Sequence, residues 1–318
     1  MTLTQLEYIL AVGDTGSFSQ AALQCHVTQP TLSMQIQKLE DELNVILFDR
    51  TKQPVRPTQI GELVLKQARV VIQESQHIRE IIDDSKGAIS GTLRIGIIPT
   101  LAPYLLPLFL NKFMKKYANV HLVIDELETQ PIVDKIRNNS LDLGIAVTPI
   151  DDINISQKAL FYEPFVAYFS PGHTLLQKKH VDESDLSLNE MLLLSEEHCF
   201  REQSLGLCRS KKNLNSSSNF SFEGGSLETL KKLVDQGDGF TLLPLLATED
   251  VQDKKRLKPF SAPVPTREVS ILHGPHYQRK ALLKAFTDTI LQSLPKEMPL
   301  TRTKSQFIKV DNPLGHRT

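Results

Sequence analysis

Short apolar stripes at helical spacing, each opened by a polar start signal, run through the first sixty residues. Thr2-Leu3-Thr4-Gln5 has the form of a capping box, in which the hydroxyl serves an orphan backbone N–H and the glutamine reaches back. Leu6, Ile9 and Leu10 follow as a stripe, and the run Gly13 to Gly16 ends it. Ser17-Phe18-Ser19-Gln20 reads as a second capping box, before Ala21 and Ala22, whose small side chains let another helix approach closely. Cys25-His26-Val27 predicts a short turn. Thr28-Gln29-Pro30-Thr31 opens a third helix with proline in its first turn, where the missing N–H costs little. Leu32, Ile36, Leu39 and Leu43 keep one face apolar, while Gln29, Thr31, Ser33, Gln35 and Lys38 stand opposite.

Residues 58–86 carry Val64, Ala68, Val71, Ser75, Ile78 and Ile82 in alternating steps of four and three. That is a heptad seam, which predicts helix pairing. An amphipathic helix packed on its own domain has the same pattern. Lys86 to Gly91 ends the helix and predicts a hinge. Beyond it the grammar changes. Strands are predicted at 92–98, 120–127 and 141–147, with helices at 105–117 and over the PIVDKIRN run between them. This β-α-β-α-β order predicts an open parallel sheet, with ligands outside the carboxyl ends of its strands, where Thr100 and Thr129 fall. Further strands are predicted at 165–169, 192–194, 220–222, 240–243 and 268–272, with helices from Ser226 to Asp235 and from Lys280 to Leu294. Residues 296–318 are mostly polar and predict a loose tail.

Bulk properties set the compartment. A chain of 318 residues suggests two or three domains at the usual ~100–200 residues each. MTLTQLEYIL has no basic region, apolar core or cleavage site of a secretory signal, and no apolar run approaches the ~18 residues of a membrane span. A cytoplasmic protein without a membrane partner is expected. There a permanent structural disulfide is uncommon. The 36 basic and 37 acidic residues leave a net charge of −1, so composition does not announce a nucleic-acid binder. The first 57 residues are themselves acidic: Lys38, Arg50, Lys52 and Arg56 stand against Glu7, Asp14, Glu40, Asp41, Glu42 and Asp49. A helix-turn-helix with a polar N-terminal end on its second helix can read base edges in a major groove, and a small bundle with a solvated face looks the same. If it reads DNA, affinity rests on a few placed cations and helix N-termini, with a shallow salt dependence.

Two of the three cysteines stand in EEHCFREQSLGLCR, at Cys199 and Cys208. They fit buried thiols, metal ligands, a bridge or a redox pair. The spacing is unlike that of zinc ligands and no fourth ligand is evident, so no metal or other cofactor is expected. Cys199 falls near a predicted helix start, where helix N-terminus, His198 and Arg201 would favour a thiolate. As one regular helix, 199–208 would separate its ends by ~13–14 Å. A disulfide needs Cα atoms within ~7 Å, so a bridge there would require local refolding. Cys25 reads as a small buried hydrophobe.

The run SFSQAALQCHVTQPTLSMQIQKLEDELNVILFDRTKQPVRPTQIGE resembles the N-terminal domain of the LysR-type transcriptional regulators almost throughout. The resemblance implies a winged helix-turn-helix at 1–57, with Phe48 to Arg50 starting the wing and Lys52 to Arg56 near its tip. It implies double-stranded DNA as partner, read by Thr28, Gln29, Pro30, Thr31, Ser33, Gln35, Lys38, Arg50 and Arg56. It also implies a dimerising linker and hinge at 58–91 and a regulatory domain at 92–295. That domain has two periplasmic-binding-protein-like α/β lobes: lobe I at about 92–162 and 267–295, lobe II at about 163–266. A tail at 296–318 has no family role.

IPTLAPYLLP, HCFREQSLGLC and SLETLKKLVDQGDGFTLLP resemble the OxyR-type peroxide sensors within that group. This implies hydrogen peroxide as the signal, Cys199 as the reacting cysteine and Cys208 as the one that closes a disulfide. Thr100, Thr129, His198 and Arg267 match pocket positions. The resemblance also implies a homo-oligomer, a dimer or dimer of dimers, that is not an enzyme, with RNA polymerase and a dithiol reductant as further partners. Relatives carry His-Phe-Arg before the SLETL segment, where this chain has Ser221-Phe222-Glu223. Two rivals stand beside this reading. One is a regulator that binds a small metabolite between the lobes. The other is a thiol peroxidase that turns over, for which a DNA-binding headpiece has no use.

Overall fold

The computed structural model describes residues 1–85, 89–195, 199–207, 226–237, 239–275, 277–301 and 307–309, with Cys199 described through its backbone alone. Two compact units divide the chain, one of Met1–Ala88 with the three residues Asn138–Ser140, the other of Ile89–Arg137 and Leu141–Thr318.

The first unit begins with α1 (Leu3–Thr15), α2 (Phe18–Gln24) and α3 (Gln29–Leu43). Thr2 completes its capping box, and Thr28 caps α3. Ser17 accepts from the Gln20 N–H without the reciprocal bond, so the second box is half formed. A hairpin of β1 (Phe48–Asp49) and β2 (Arg56–Pro57) forms the wing. The helix α4 (Gln59–Ser85) follows. Ile9, Val12, Leu32, Ile36, Leu39 and Leu47 are fully enclosed in the common core.

One buried carboxylate holds the wing to α3. Glu40, 4% exposed, accepts from the Leu47 N–H at 2.7 Å and from Arg50 Nη2 at 2.8 Å. The Arg50 guanidinium also lies 5.0 Å from the centre of the Phe18 ring, which meets Phe48 edge-on. Glu40→Ala would leave a buried N–H and a cation without their anion. It is expected to cost about 2–3 kcal/mol in urea unfolding followed by a probe in the headpiece. A loss below about 0.5 kcal/mol, the range of ordinary surface changes, would contradict this role.

The heptad seam of α4 is divided. Leu65 and Ala68 are buried in the headpiece core, with Val64 and Val71 packed against it. Gly61 is needed there, because a Cβ would come within 2.1 Å of the Leu47 carbonyl oxygen. Further along, Ile78 is 63% exposed and does not join that core.

The second unit opens with β3 (Gly91–Ile97), α5 (Ala102–Lys116), β4 (Val120–Glu126), α6 (Thr129–Arg137) and β5 (Leu143–Thr148). The three strands are parallel in the order β4-β3-β5, as predicted. The sheet is nevertheless mixed. The 14-residue β6 (Ser156–Phe169) runs from one lobe into the other. Its first half pairs antiparallel with a late strand, β9 (Val264–His273), which is itself antiparallel to β5. Its second half pairs antiparallel with β7 (Phe240–Pro244) and β8 (Leu257–Pro259). Strands that return from the second lobe must enter the first in the opposite sense, which the β-α-β pattern could not foretell.

Helices α7 (Cys199–Leu207) and α8 (Leu227–Gln236) belong to the second lobe, and α9 (Lys280–Leu291) returns to the first. Each lobe has its own core, one around Phe109, Phe113 and Phe286, the other around Phe165, Phe169 and Phe240. At 192–194 no strand forms; Met191 makes only an isolated bridge to Phe240. The stretch at 220–222 lies outside the described residues. The tail is partly tied down: Met298 is buried in the first core and the Tyr162 N–H donates to the Pro299 carbonyl at 2.8 Å. A short strand, β10 (Phe307–Lys309), pairs parallel with β9 at Val264 to Thr266.

Candidate functional site

Thr100 and Thr129 follow neighbouring parallel strands. Ile97 and Glu126 are register partners, and each threonine stands three residues beyond its strand end. Both are buried, and Thr129 is the first residue of α6. This is the edge where open α/β sheets build sites.

Arg267 reaches the same edge from β9. It is 1% exposed, and its register partner on β6 is Glu163, fully enclosed. Arg267 Nε donates to Glu163 Oε2 at 2.9 Å, while Nη1 donates to the Thr100 hydroxyl at 3.0 Å and Nη2 to the Thr100 carbonyl at 3.2 Å. The other carboxylate oxygen of Glu163 accepts from the Leu246 N–H at 2.9 Å. One guanidinium therefore joins both crossing strands to the loop after β3, with its charge balanced. A buried charge persists only when paired and hydrogen-bonded in this way.

Helix α7 brings its first turn to this cation. The Phe200 ring is 5.7 Å from Arg267 Cζ and packs on Phe165 at 5.6 Å. Cys199 is the first residue of the helix, the predicted place for a thiol to gain from the N-terminal dipole. Arg201, two residues on, donates from Nη1 to the Leu194 carbonyl at 2.9 Å. His198, Cys208 and the stretch at 221–223 lie outside the described residues.

Two polar side chains that sequence reasoning missed stand one turn further along α7. Gln203 is 1% exposed and Ser204 fully enclosed, and neither the amide nor the hydroxyl has a partner among the described residues. Gln203 shares a helix face with Cys199 and Ser204 shares one with Phe200, by the i, i+4 rule. A buried polar group without any partner costs about 1–3 kcal/mol, so these two side chains favour a polar neighbour at this turn of the helix. The i+4 spacing from Cys199 was the available signal for Gln203.

The remaining cysteine is unlike these surroundings. Cys25 is half-buried at the edge of the headpiece core, not enclosed as expected; partial burial, and secondarily the Glu7 carboxylate, push its thiol above its ordinary pKa, so little of it is thiolate at neutral pH.

In the first unit, Thr28, Gln29, Pro30, Thr31, Lys38 and Arg56 are exposed, and Ser33 and Gln35 are half-buried. Thr28 is occupied as the cap of α3, and Gln35 accepts a 3.4 Å bond from Gln5 Nε2. Arg50 is shared with Glu40. Lys52, 61% exposed, pairs with Asp49 at 3.5 Å, which leaves Lys38 and Arg56 as the exposed cations of residues 1–57 without a described carboxylate partner. The slope of log affinity for duplex DNA against log salt is therefore expected near about −2 per headpiece. A slope near −5 per headpiece would show phosphate contacts from elsewhere.

Among the described residues no helix is long and apolar enough to cross a membrane. Residues 3–62 match the family model described as "Bacterial regulatory helix-turn-helix protein, lysR family", and residues 86–295 match "LysR substrate binding domain". A hydrogen peroxide-inducible genes activator of Dickeya chrysanthemi is 33% identical over 300 residues, covering 94% of this chain and 97% of the relative. A full-length OxyR variant from Pseudomonas aeruginosa has a similar structure, with a TM-score of 0.78 and 35% identity over 92% of this chain and 99% of that one. A hydrogen peroxide-bound OxyR variant from Corynebacterium glutamicum matches with a TM-score of 0.61 and 25% identity over 92% and 94%. The chain belongs to the LysR family of DNA-binding transcriptional regulators, in its OxyR-type branch.

Proposed function

We propose that this regulator senses hydrogen peroxide in the cytoplasm through Cys199 and passes the signal to DNA. The observation that carries the reading is the buried Arg267–Thr100–Glu163 cluster at the first turn of α7, with Gln203 and Ser204 buried one turn along that helix and without partners among the described residues. A fixed cation and a helix N-terminus favour the thiolate, which is the reacting form. The thiolate sulfur attacks one peroxide oxygen, the O–O bond breaks, and hydroxide leaves with a proton as water. Cys199 becomes a sulfenic acid. The Thr100 and Thr129 hydroxyls, His198 and the Gln203 amide are suited to orient the peroxide and its leaving oxygen. The Cys208 thiol then attacks the sulfenic sulfur and a second water leaves, so that a disulfide stores two oxidising equivalents. A dithiol reductant reverses the step.

The disulfide is also the mechanical event. The nine residues of α7 hold its ends about 12 Å apart at 1.5 Å per residue. Bridging Cys199 to Cys208 needs about 7 Å or less, so the helix must unwind. Phe200 and Leu207, both buried, leave their places when it does. That remodels the surface of the second lobe, the oligomer and the spacing of headpieces on promoter DNA, where RNA polymerase is contacted.

Footprints on a duplex selected from a random library test the reading. The reduced and peroxide-treated proteins are expected to protect different lengths of DNA, and Cys199→Ser protein one length under both conditions. Identical footprints for the wild type in the two states would overturn it.

A second reading has one observation in its favour. A cavity of about 600 Å³ opens between the lobes, lined by Pro103, Tyr104, Leu108, Leu246, Glu249 and Leu294 among others. It is large enough for a small metabolite. No residue of α7 lines it, so a regulator using it would respond with both cysteines replaced.

A further inference from the structure

The exposed face of α3 carries one large apolar side chain. Met34 is 50% exposed on a helix whose other exposed positions include Thr31, Gln37, Lys38 and Asp41. At about 100° per residue it lies about 200° around the axis from Ile36, which is fully enclosed. Met34 therefore stands at the middle of the outward face, opposite the buried seam. Its neighbours at i−3 and i+4 are Thr31 and Lys38, so a hydroxyl and an ammonium flank it along the helix.

Its polar neighbours are partly committed. The hydroxyls of Thr31 and Thr28 lie 2.8 Å apart, and Gln37 Nε2 donates to Asp41 Oδ1 at 3.0 Å. These pairs stiffen the face around Met34, whose thioether chain is left half exposed. An exposed apolar side chain gains nothing in water. It gains on contact with apolar surface, and the major-groove edge of DNA offers one such group, the 5-methyl of thymine.

We infer that Met34 reads thymine, through contact with its 5-methyl group, when α3 lies in the major groove. The inference rests on α3 being the groove-entering helix of the headpiece. Thr31 and Lys38 then bond polar edges and phosphates on either side, while Met34 sets a sequence preference that hydrogen bonds do not supply.

Binding sites are selected from random duplex with the full-length wild-type protein. Each thymine of a half-site is then replaced in turn by deoxyuridine, which removes only the methyl. One position is expected to weaken wild-type binding about fourfold, the worth of one methyl withdrawn from water. Met34→Leu keeps that sensitivity and Met34→Gln loses it. Met34→Gln also relaxes the selected preference at the same base pair. Two results would overturn the inference: no thymine whose methyl matters to the wild type, or a methyl effect that Met34→Gln leaves unchanged. If headpieces do not engage DNA through α3 at all, Thr31→Ala and Lys38→Ala leave affinity intact, which marks failure of the underlying premise.

Discussion

Cys199→Ser is expected to abolish the peroxide response while leaving fold and DNA binding intact. A serine hydroxyl at the start of α7 has no accessible anionic form near neutral pH, whereas a thiol there has. The change removes one sulfur from a helix whose other anchors, Phe200, Gln203, Ser204 and Leu207, all remain buried. Unfolding by urea should therefore shift by less than about 1 kcal/mol, within the range of volume-conserving changes. Cys208→Ser separates the two chemical steps. It should consume one equivalent of peroxide, form the Cys199 sulfenic acid and stop there, open to trapping by a dione reagent. Peroxide-driven changes in DNA protection that persist in Cys199→Ser protein would point to another sensor.

The second large effect belongs to Arg267. Arg267→Ala would leave Glu163, fully enclosed, as a buried carboxylate without its cation. Breaking a buried pair from one side typically costs about 3–5 kcal/mol. The Thr100 hydroxyl and carbonyl lose their donor as well. In the proposed reaction the cation favours the thiolate, so its removal should shift the rise of the peroxide rate to higher pH by about one unit or more. Arg267→Lys tests the two roles apart. An ammonium keeps the charge and loses the fork that holds both Glu163 and Thr100. It should retain more of the rate than of the stability. A pH–rate profile unchanged in Arg267→Ala would remove Arg267 from the chemistry and leave it a purely structural tie.

The headpiece was legible in the sequence because its signals are local. Caps, a proline in the first turn and a repeated apolar stripe all lie within one helix length of what they specify, and Thr2, Thr28 and Ile36 do what their positions predict. The linker was legible only by half. Its seam is continuous in sequence, yet Val64, Ala68 and Val71 pack on the headpiece while Ile78 is left outside. Periodicity gives the face of a helix, not what covers it.

In the regulatory domain, alternation placed β3, β4 and β5 but missed the mixed sheet. Pairing of β6 with β9 joins segments about a hundred residues apart, and no local pattern encodes it. The site shows the same limit. Thr100, Thr129 and Arg267 entered through strand-end position and family resemblance, whereas Glu163 did not enter at all. It reads as one more polar residue in a strand until Arg267 is placed opposite it. Gln203 and Ser204 escaped for a different reason. A buried polar side chain that lacks a partner cannot be told in sequence from a solvated one.

The most direct test of the sensor is a thiol map of the purified, reduced protein after a substoichiometric pulse of hydrogen peroxide. Mass spectrometry of alkylated, digested protein should find a Cys199–Cys208 peptide within seconds, Cys25 still alkylatable, and the bridge reversed by a dithiol. Free Cys199 and Cys208 thiols in protein that is folded, bound to DNA and exposed to excess peroxide would contradict the account.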